Sequence, residues 1–178
     1  PNDPASEERT FAGQTPLTGA TAVNLSPAKA EELGIDAFAG PGVLIIKVEG
    51  AYHGHHDLVN VSLWRSSGDL GPVDDPVRDP GPGIPKVIAD LVRIVPFNDL
   101  AAVERVFADH PDRVAGMILE PMMMNAGIIA PAPGYLAGLK ELCARHGALL
   151  TFDEVKTGLV VARGGASELF GVRPDIVC

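Results

Sequence analysis

The sequence predicts an α/β fold, a three-layer sandwich built around a mainly parallel sheet. From residue 43 onwards, short apolar runs rich in β-branched residues alternate with stretches in which apolar residues recur at helical spacing. The chain has 178 residues and is 46% hydrophobic, so it can bury a sizeable core. Strands that alternate with helices of about 10 to 15 residues form βαβ units, whose strands run parallel.

The predicted strands are apolar runs bounded by turn residues. The first, at 43–48, reads Val-Leu-Ile-Ile-Lys-Val and is closed by Gly50. Further strands are predicted at 93–96, 114–119 and 148–152, and another begins at 174–178. These runs are nearly continuous in apolar residues, as expected of strands that are buried on both faces.

The predicted helices lie between these strands. Leu100, Val103 and Phe107 form an apolar stripe, and Asp99 is placed to cap it. Apolar residues recur at helical spacing over 135–146 until Gly147 ends the pattern. A short helix is predicted at 166–170.

Two segments do not fit the alternation of strands and helices. Residues 1–42 are rich in proline and small polar residues, and they are interpreted as loop with one short helix around 28–33, leaving 1–42 unassigned and 43–178 as the folded domain. Residues 66–85 are rich in Gly, Pro and Asp, and a loop of that length in a compact domain usually has a purpose, such as a lid.

Composition excludes some classes of function. The net charge of -9 argues against non-specific binding to nucleic acid, which needs lysine and arginine against the phosphates. No apolar stretch approaches the roughly 20 residues of a membrane-spanning helix. Only two cysteines and no signal-peptide pattern lead us to expect a soluble protein of the reduced cytoplasm that acts on small molecules.

Acidic residues follow two of the predicted strands. Glu120 comes directly after one strand and Asp153-Glu154 after the next. Ligands of open parallel sheets bind at the carboxyl ends of strands. Because side chains alternate along a strand, Asp153 and Val155 share one face, which offers an anion and an apolar group to a protonated pyridine ring. The alternative is that these acids only cap the turns that follow.

A histidine-rich segment follows the first predicted strand. Residues 52–57 read Tyr-His-Gly-His-His-Asp, and they fit either a metal site or an aromatic platform for a flat ring with histidines as hydrogen-bonding partners. The metal alternative would use His53, His55, His56 and Asp57 in a hydrolase, although the order lacks the trailing histidine of metallo-β-lactamase-like enzymes. A surface loop is the third possibility. Asn125 could likewise point into the crevice or serve a turn.

The ordered blocks together resemble class III aminotransferases that depend on pyridoxal phosphate (PLP). The blocks are the segment 52–57, Val-Pro-Phe-Asn-Asp at 95–99, Ile-Leu-Glu-Pro at 118–121 with Asn125, Phe-Asp-Glu-Val-Lys-Thr-Gly at 152–158, and the stretch from Gly-Gly-Ala at 164–166 to Pro-Asp at 174–175. The resemblance covers roughly residues 43–178. Within the family the chain is most similar to the glutamate-1-semialdehyde 2,1-aminomutases.

The resemblance implies the large domain of the type I PLP-dependent transferase fold, a homodimer and a small amino or oxo acid as substrate. It implies cofactor-binding roles for five residues and a substrate-pocket role for a sixth. Tyr52 would stack on one face of the ring and Val155 on the other, Asp153 would pair with the ring nitrogen, His53 would support the stack, and Asn125 and Glu120 would line the pocket. The loop at 66–85 would stand where the aminomutases carry a gating loop.

The chain departs from the family pattern at two anchors. The family's Schiff-base lysine lies just beyond the block that ends at Cys178, and Lys156 does not replace it because alternation places Lys156 on the opposite face from Asp153. The phosphate-binding Ser-Gly-Thr-Glu turn is also missing. We therefore expect the 178 residues alone to be inactive, and a non-catalytic remnant of the fold is a further alternative.

Overall fold

The computed structural model describes residues 44–63, 72, 76, 80 and 83–178, and the backbone alone of 8–10 and 21–23. The chain divides into two compact units, Pro1–Gly42 and Val43–Cys178. In the first unit, strands β1 (Glu8–Thr10) and β2 (Thr21–Val23) pair antiparallel. These strands lie in the segment interpreted as loop, and that interpretation was wrong at these positions because three residues are too few to show a strand period.

The second unit is built on a five-stranded sheet in the order β4-β3-β5-β6-β7, and each neighbouring pair is parallel. The α/β fold with a mainly parallel sheet is therefore confirmed. The strands are β3 (Leu44–Val48), β4 (Val92–Val95), β5 (Val114–Leu119), β6 (Leu149–Phe152) and β7 (Ile176–Val177).

The helices of this unit occupy the connections between strands, as the alternating pattern predicts. They are α1 (Lys86–Ala89), α2 (Leu100–Asp109), α3 (Tyr135–Arg145) and α4 (Gly165–Phe170). The cap predicted at the start of α2 is confirmed, since the Asp99 side chain accepts a hydrogen bond from Ala102 N at 2.8 Å. Helix α1 was not predicted, because its four residues are too short for a periodic signal.

The main core lies between one face of the sheet and helices α2 and α3. Leu44, Ile46 and Val48 alternate towards this face, and each is fully buried. They pack in the same cluster as Phe107 of α2 and Leu139 of α3. Helices α2 and α3 thus cover this face of the sheet.

The other face of the sheet is covered near β4 by a smaller cluster of Val61, Ala89, Val92 and Ile94. Over β5 and β6 the same face forms an open groove of about 310 Å³, lined mostly by apolar side chains that include Ile45. Most of the segment 66–85 and the helix predicted at 28–33 lie outside the described residues. None of the helices that the structure describes is long and apolar enough to cross a membrane.

Gly116 of β5 lies where the backbones of β5 and β6 approach each other closely. A Cβ at Gly116 would lie 2.6 Å from the backbone oxygen of Leu149 in β6, whereas a Cβ at Gly138 of α3 would meet only the flexible end of Leu100, at 2.5 Å. We expect Gly116→Ala to lower the free energy of unfolding by about 1–3 kcal/mol, because the two backbones must move apart.

Gly138→Ala is the matched control, since its neighbour can rotate away and alanine is the better helix former. Urea denaturation of both variants measures the difference. Equal stabilities of the two variants would contradict this account of Gly116.

Candidate functional site

The carboxyl ends of β3, β5 and β6 lie side by side because these strands are adjacent and parallel. The first residues after β5 and β6 are Glu120 and Asp153, and the loop after β3 carries Tyr52 and His53. The backbone continues the sheet for one step here, since Asp153 N donates to Leu119 O at 2.9 Å. The structure therefore brings four of the predicted site residues to one edge.

Asp153 is held by hydrogen bonds on both carboxylate oxygens. His53 Nδ1 lies 2.8 Å from Asp153 Oδ2, and Val155 N donates to Asp153 Oδ1 at 3.1 Å. Burial alone would raise the pKa of Asp153, but the hydrogen bonds from His53 and Val155 N outweigh burial and hold that pKa below its ordinary value of 3.8. The carboxylate is therefore ionised at neutral pH.

The contact with Asp153 settles which nitrogen of His53 carries a hydrogen. An ionised carboxylate only accepts hydrogen bonds, so Nδ1 is the donor. The His53 side chain is 1% exposed, and its Nε2 is buried and has no hydrogen-bond partner among the residues that the structure describes. Asp153 is thus backed by a buried imidazole. Its remaining acceptor capacity is available to a cationic group.

Glu120 joins the loop after β3 to the loop after β5. It is 2% exposed. Its Oε1 accepts from Tyr52 N at 3.2 Å. Its Oε2 accepts from Met124 N at 2.9 Å and from the backbone and side-chain nitrogens of Asn125 at 3.2 and 3.0 Å. The carboxylate therefore positions Tyr52 and Asn125, and the substrate-pocket role expected for Glu120 stays a prediction.

Two apolar or aromatic side chains at this edge are at least partly exposed. Val155 is 75% exposed, and Tyr52 is partly exposed. β6 ends at Phe152 and Val155 lies in the turn that follows, so strand alternation does not set its direction, and the hydrogen bond from Val155 N to Asp153 Oδ1 joins the two residues instead. An anion flanked by an exposed apolar side chain and an aromatic ring suits a flat, positively charged ring.

Lys47 is a buried residue of this region that the sequence interpretation missed. It is fully buried in β3, and its Nζ donates to Val48 O at 3.1 Å. Burial lowers its pKa to about 8, while the charges of Glu120 and Glu49 raise it. A lysine inside an apolar strand is the signal that was available, since lysine is rarely buried without a partner.

The rest of the histidine-rich segment does not converge. His55, His56 and Asp57 are exposed, and His56 Nδ1 accepts from Leu58 N at 3.3 Å within its own turn. In the part of the chain that the structure describes, no group of three or more His, Cys, Asp or Glu residues is arranged to hold a metal ion. His53 instead contacts Asp153.

Comparison with known proteins assigns the chain to a family. Residues 9–178 match the family described as aminotransferase class-III. The chain belongs to the class-III aminotransferases. The match begins within the N-terminal segment and continues through the whole parallel-sheet unit.

Solved structures agree with the family. An omega-transaminase from Sphaerobacter thermophilus is 35% identical with a TM-score of 0.69, over 76% of this chain and 31% of that chain. A glutamate-1-semialdehyde-aminomutase from Pseudomonas aeruginosa PAO1 is 32% identical with a TM-score of 0.63, over 76% and 28%. A structure described as a transaminase with PLP bound is 30% identical with a TM-score of 0.64, over 75% and 30%. The chain thus spans about three tenths of the length of these relatives.

Three acids of the parallel-sheet unit, two of them at this edge, predict a specific pH dependence of stability. The pKa values of Asp153, Glu154 and Asp175 lie below their ordinary values of 3.8, 4.5 and 3.8. A carboxyl whose pKa is lower in the folded state stabilises the fold above its unfolded pKa, and this contribution is lost as the pH falls through the folded pKa. We expect the free energy of unfolding to decline from about pH 5 downwards.

Urea denaturation at a series of pH values measures this decline. Asp153→Asn removes one of the three titrating groups and should make the decline shallower, whereas Glu141→Gln, at an exposed position of α3, should leave it unchanged. A free energy of unfolding that is constant or rises between about pH 5 and pH 3 would be incompatible with these pKa directions.

Proposed function

We propose that this chain is part of the large domain of a PLP-dependent enzyme that transfers amino groups and that Asp153 pairs with the pyridine nitrogen of the cofactor. The observation that carries the proposal is the ionised Asp153 carboxylate at the carboxyl edge of the sheet, held by His53 at 2.8 Å. Family membership supports amino-group transfer as the class of reaction.

Pyridoxal phosphate is the cofactor that the family and the PLP-bound relative indicate. The residues of this edge fit its ring in charge and polarity. Asp153 supplies an anion, Val155 an exposed apolar surface and Tyr52 an aromatic side chain. In contrast, no described set of side chains fits the metal ion that a hydrolase using residues 53–57 would need.

The bound cofactor supplies an electron sink for the carbon that bears the amino group. Asp153 keeps a proton on the ring nitrogen, which makes the ring a better sink. His53 holds Asp153 in place and shields it from water, because the imidazole is buried behind the carboxylate. Tyr52 and Val155 would contact the ring and orient it, and Asn125 would line the same pocket.

The lysine that binds the cofactor covalently is proposed to lie beyond Cys178 in the full-length protein. In this view the 178 residues contain the side chains that contact the ring, Tyr52, Asp153 and Val155, but do not catalyse the reaction by themselves. A homodimer and a small amino or oxo acid substrate remain part of the proposal on the strength of the family resemblance. If the chain instead belongs to a non-catalytic remnant of the fold, the full-length protein should show no activity.

The identity of the reaction can be decided by the substrate requirement. An aminomutase acts on glutamate-1-semialdehyde alone, whereas a transaminase needs an amino donor and a separate oxo acceptor. The chain is similar to proteins of both kinds, at 35% and 32% identity. Product analysis of the full-length protein with each substrate set distinguishes the two, and turnover with neither would favour the remnant.

Replacing Asp153 by asparagine tests the ring-nitrogen contact. Asp153→Asn keeps the shape but removes the negative charge, so we expect the affinity of the full-length protein for PLP to fall by about tenfold or more. Absorbance titration with PLP measures this, and borohydride reduction reveals the covalent lysine link.

Asp57→Asn is the matched control, because Asp57 is exposed and belongs only to the metal-site alternative. If Asp57→Asn weakened PLP binding and Asp153→Asn did not, the assignment of Asp153 would be wrong. A wild-type protein that binds no PLP would overturn the proposed function itself.

Replacing Tyr52 tests the stacking contact. Tyr52→Phe retains the ring and should bind PLP nearly as well as the wild type. Tyr52→Ala removes an aromatic contact worth about 0.5–1.5 kcal/mol beyond its buried area, so the affinity should fall by several fold at least. Equal affinities of the alanine and phenylalanine variants would show that Tyr52 does not stack on the cofactor.

A further inference from the structure

Glu154 is a buried acid at the same edge with no role in the site described so far. It is 6% exposed and follows Asp153 directly, but its side chain contacts the segment 157–167 rather than His53. There the carboxylate meets the beginning of helix α4, twelve residues further along the chain, where it accepts from Ala166 N.

The Glu154 carboxylate accepts four hydrogen bonds. Oε2 accepts from Thr157 Oγ1 at 3.0 Å and from Ala166 N at 2.5 Å. Oε1 accepts from the backbone nitrogen of Ser167 at 3.0 Å and from its hydroxyl at 2.5 Å. Burial raises the pKa of Glu154, but these bonds outweigh burial and hold the pKa below its ordinary value. The side chain is therefore an ionised acceptor with both oxygens in use.

The backbone around this carboxylate is shaped to receive it. Gly165 has a φ of +67°, and a Cβ on Gly165 would collide with Oε2 of Glu154. Any other residue at this position would be strained and would also displace the carboxylate. The absence of a side chain at Gly165 leaves room for the Glu154 carboxylate, and the four donors hold it there.

The main chain of Glu154 is fixed as well. Its nitrogen donates to Cys178 O at 2.9 Å, and its carbonyl oxygen accepts from Gly158 N at 2.7 Å. Glu154 thus joins the end of β6, the end of the β7 segment and the start of α4. Residues 155–164 form a loop whose two ends are fastened through this one residue, and Val155 is the first residue of that loop.

We propose that Glu154 is a positioning residue for the two residues that contact the cofactor ring, Asp153 and Val155. It fastens the loop 155–164 at both ends and so holds Val155 beside Asp153 in the arrangement that the ring requires. The inference depends on the proposed function only for the identity of the ligand that Val155 contacts, because the fastening of the loop is a property of the chain.

Limited digestion with trypsin tests the fastening without any cofactor. Lys156 and Arg163 are exposed residues inside the loop and are the bonds to follow. In Glu154→Gln the amide has one acceptor oxygen, and its NH₂ group faces backbone donors, so local opening should become more frequent. We expect cleavage after Lys156 and Arg163 in the full-length protein to accelerate by about tenfold or more.

Two controls separate loop opening from general instability. Glu141→Gln makes the same chemical change at an exposed position of α3 and should leave cleavage unchanged. Cleavage after Arg145, at the end of α3, should stay slow in both variants if only the loop has opened. Mass spectrometry of the fragments gives both rates, and equal cleavage of the loop in Glu154→Gln and the wild type would overturn the inference.

PLP affinity distinguishes a role of Glu154 in positioning Val155 from a purely structural role. At a temperature where the variant is folded, Glu154→Gln should bind PLP about tenfold more weakly but keep the absorbance maximum of the wild type, since Asp153 is intact. Asp153→Asn should instead shift that maximum. Unchanged PLP affinity with an opened loop would reduce Glu154 to a structural residue and overturn the positioning role.

Ser167→Ala decides the question if Glu154→Gln fails to fold. It removes only the hydroxyl donor and should change loop cleavage and PLP affinity in the same directions by smaller factors, and wild-type behaviour in both would overturn the inference. Failure of the proposed function is distinguishable, because a wild-type protein that binds no PLP would still show the effect of Glu154 on loop cleavage.

Discussion

The need to satisfy buried carboxylates organises the carboxyl edge of the sheet. Glu120, Asp153 and Glu154 follow directly on β5 and β6, and each is buried. A buried carboxylate without hydrogen bonds would cost several kcal/mol. Glu120 and Asp153 both accept hydrogen bonds from the loop after β3, and Glu154 accepts from the start of α4, so the three acids hold in place the segments that build the site.

The two acids after β6 accept hydrogen bonds from different parts of the chain. Asp153 faces His53 and keeps acceptor capacity for a cationic ligand, whereas Glu154 faces helix α4 and uses both oxygens within the protein. Glu120 performs a similar internal task between the loops after β3 and β5. Asp153 is thus the acid that can bind a ligand, and Glu120 and Glu154 hold the surrounding loops in place. Supporting contacts of this kind are how a binding residue on a loop can be held rigidly.

Periodicity predicted the elements that are long enough to have a period. The strand at 114–119 and the cap at Asp99 were confirmed, because an apolar run and an N-cap are local properties. Helix α1 was missed because four residues make only about one helical turn, and strands β1 and β2 were missed because they are three residues long and lie in a segment rich in proline and small polar residues. Lys47 was missed although its place inside an apolar strand was an available signal, because its complete burial depends on the pairing of β3 with β4 and β5, which a local pattern does not show.

The order of the motifs along the chain was enough by itself to determine the fold class, the family and the residues gathered at the strand ends. Alternation within 151–155 predicts a shared face for Asp153 and Val155, but β6 ends at Phe152, so the directions of the acids follow from the hydrogen bonds that each carboxylate makes. Only the tertiary structure decided which residue supports which: that His53 backs Asp153, that Glu120 holds Tyr52 and Asn125, and that Glu154 reaches α4. These contacts join residues far apart in sequence, and their distances follow from the packing of whole strands and helices rather than from any local preference.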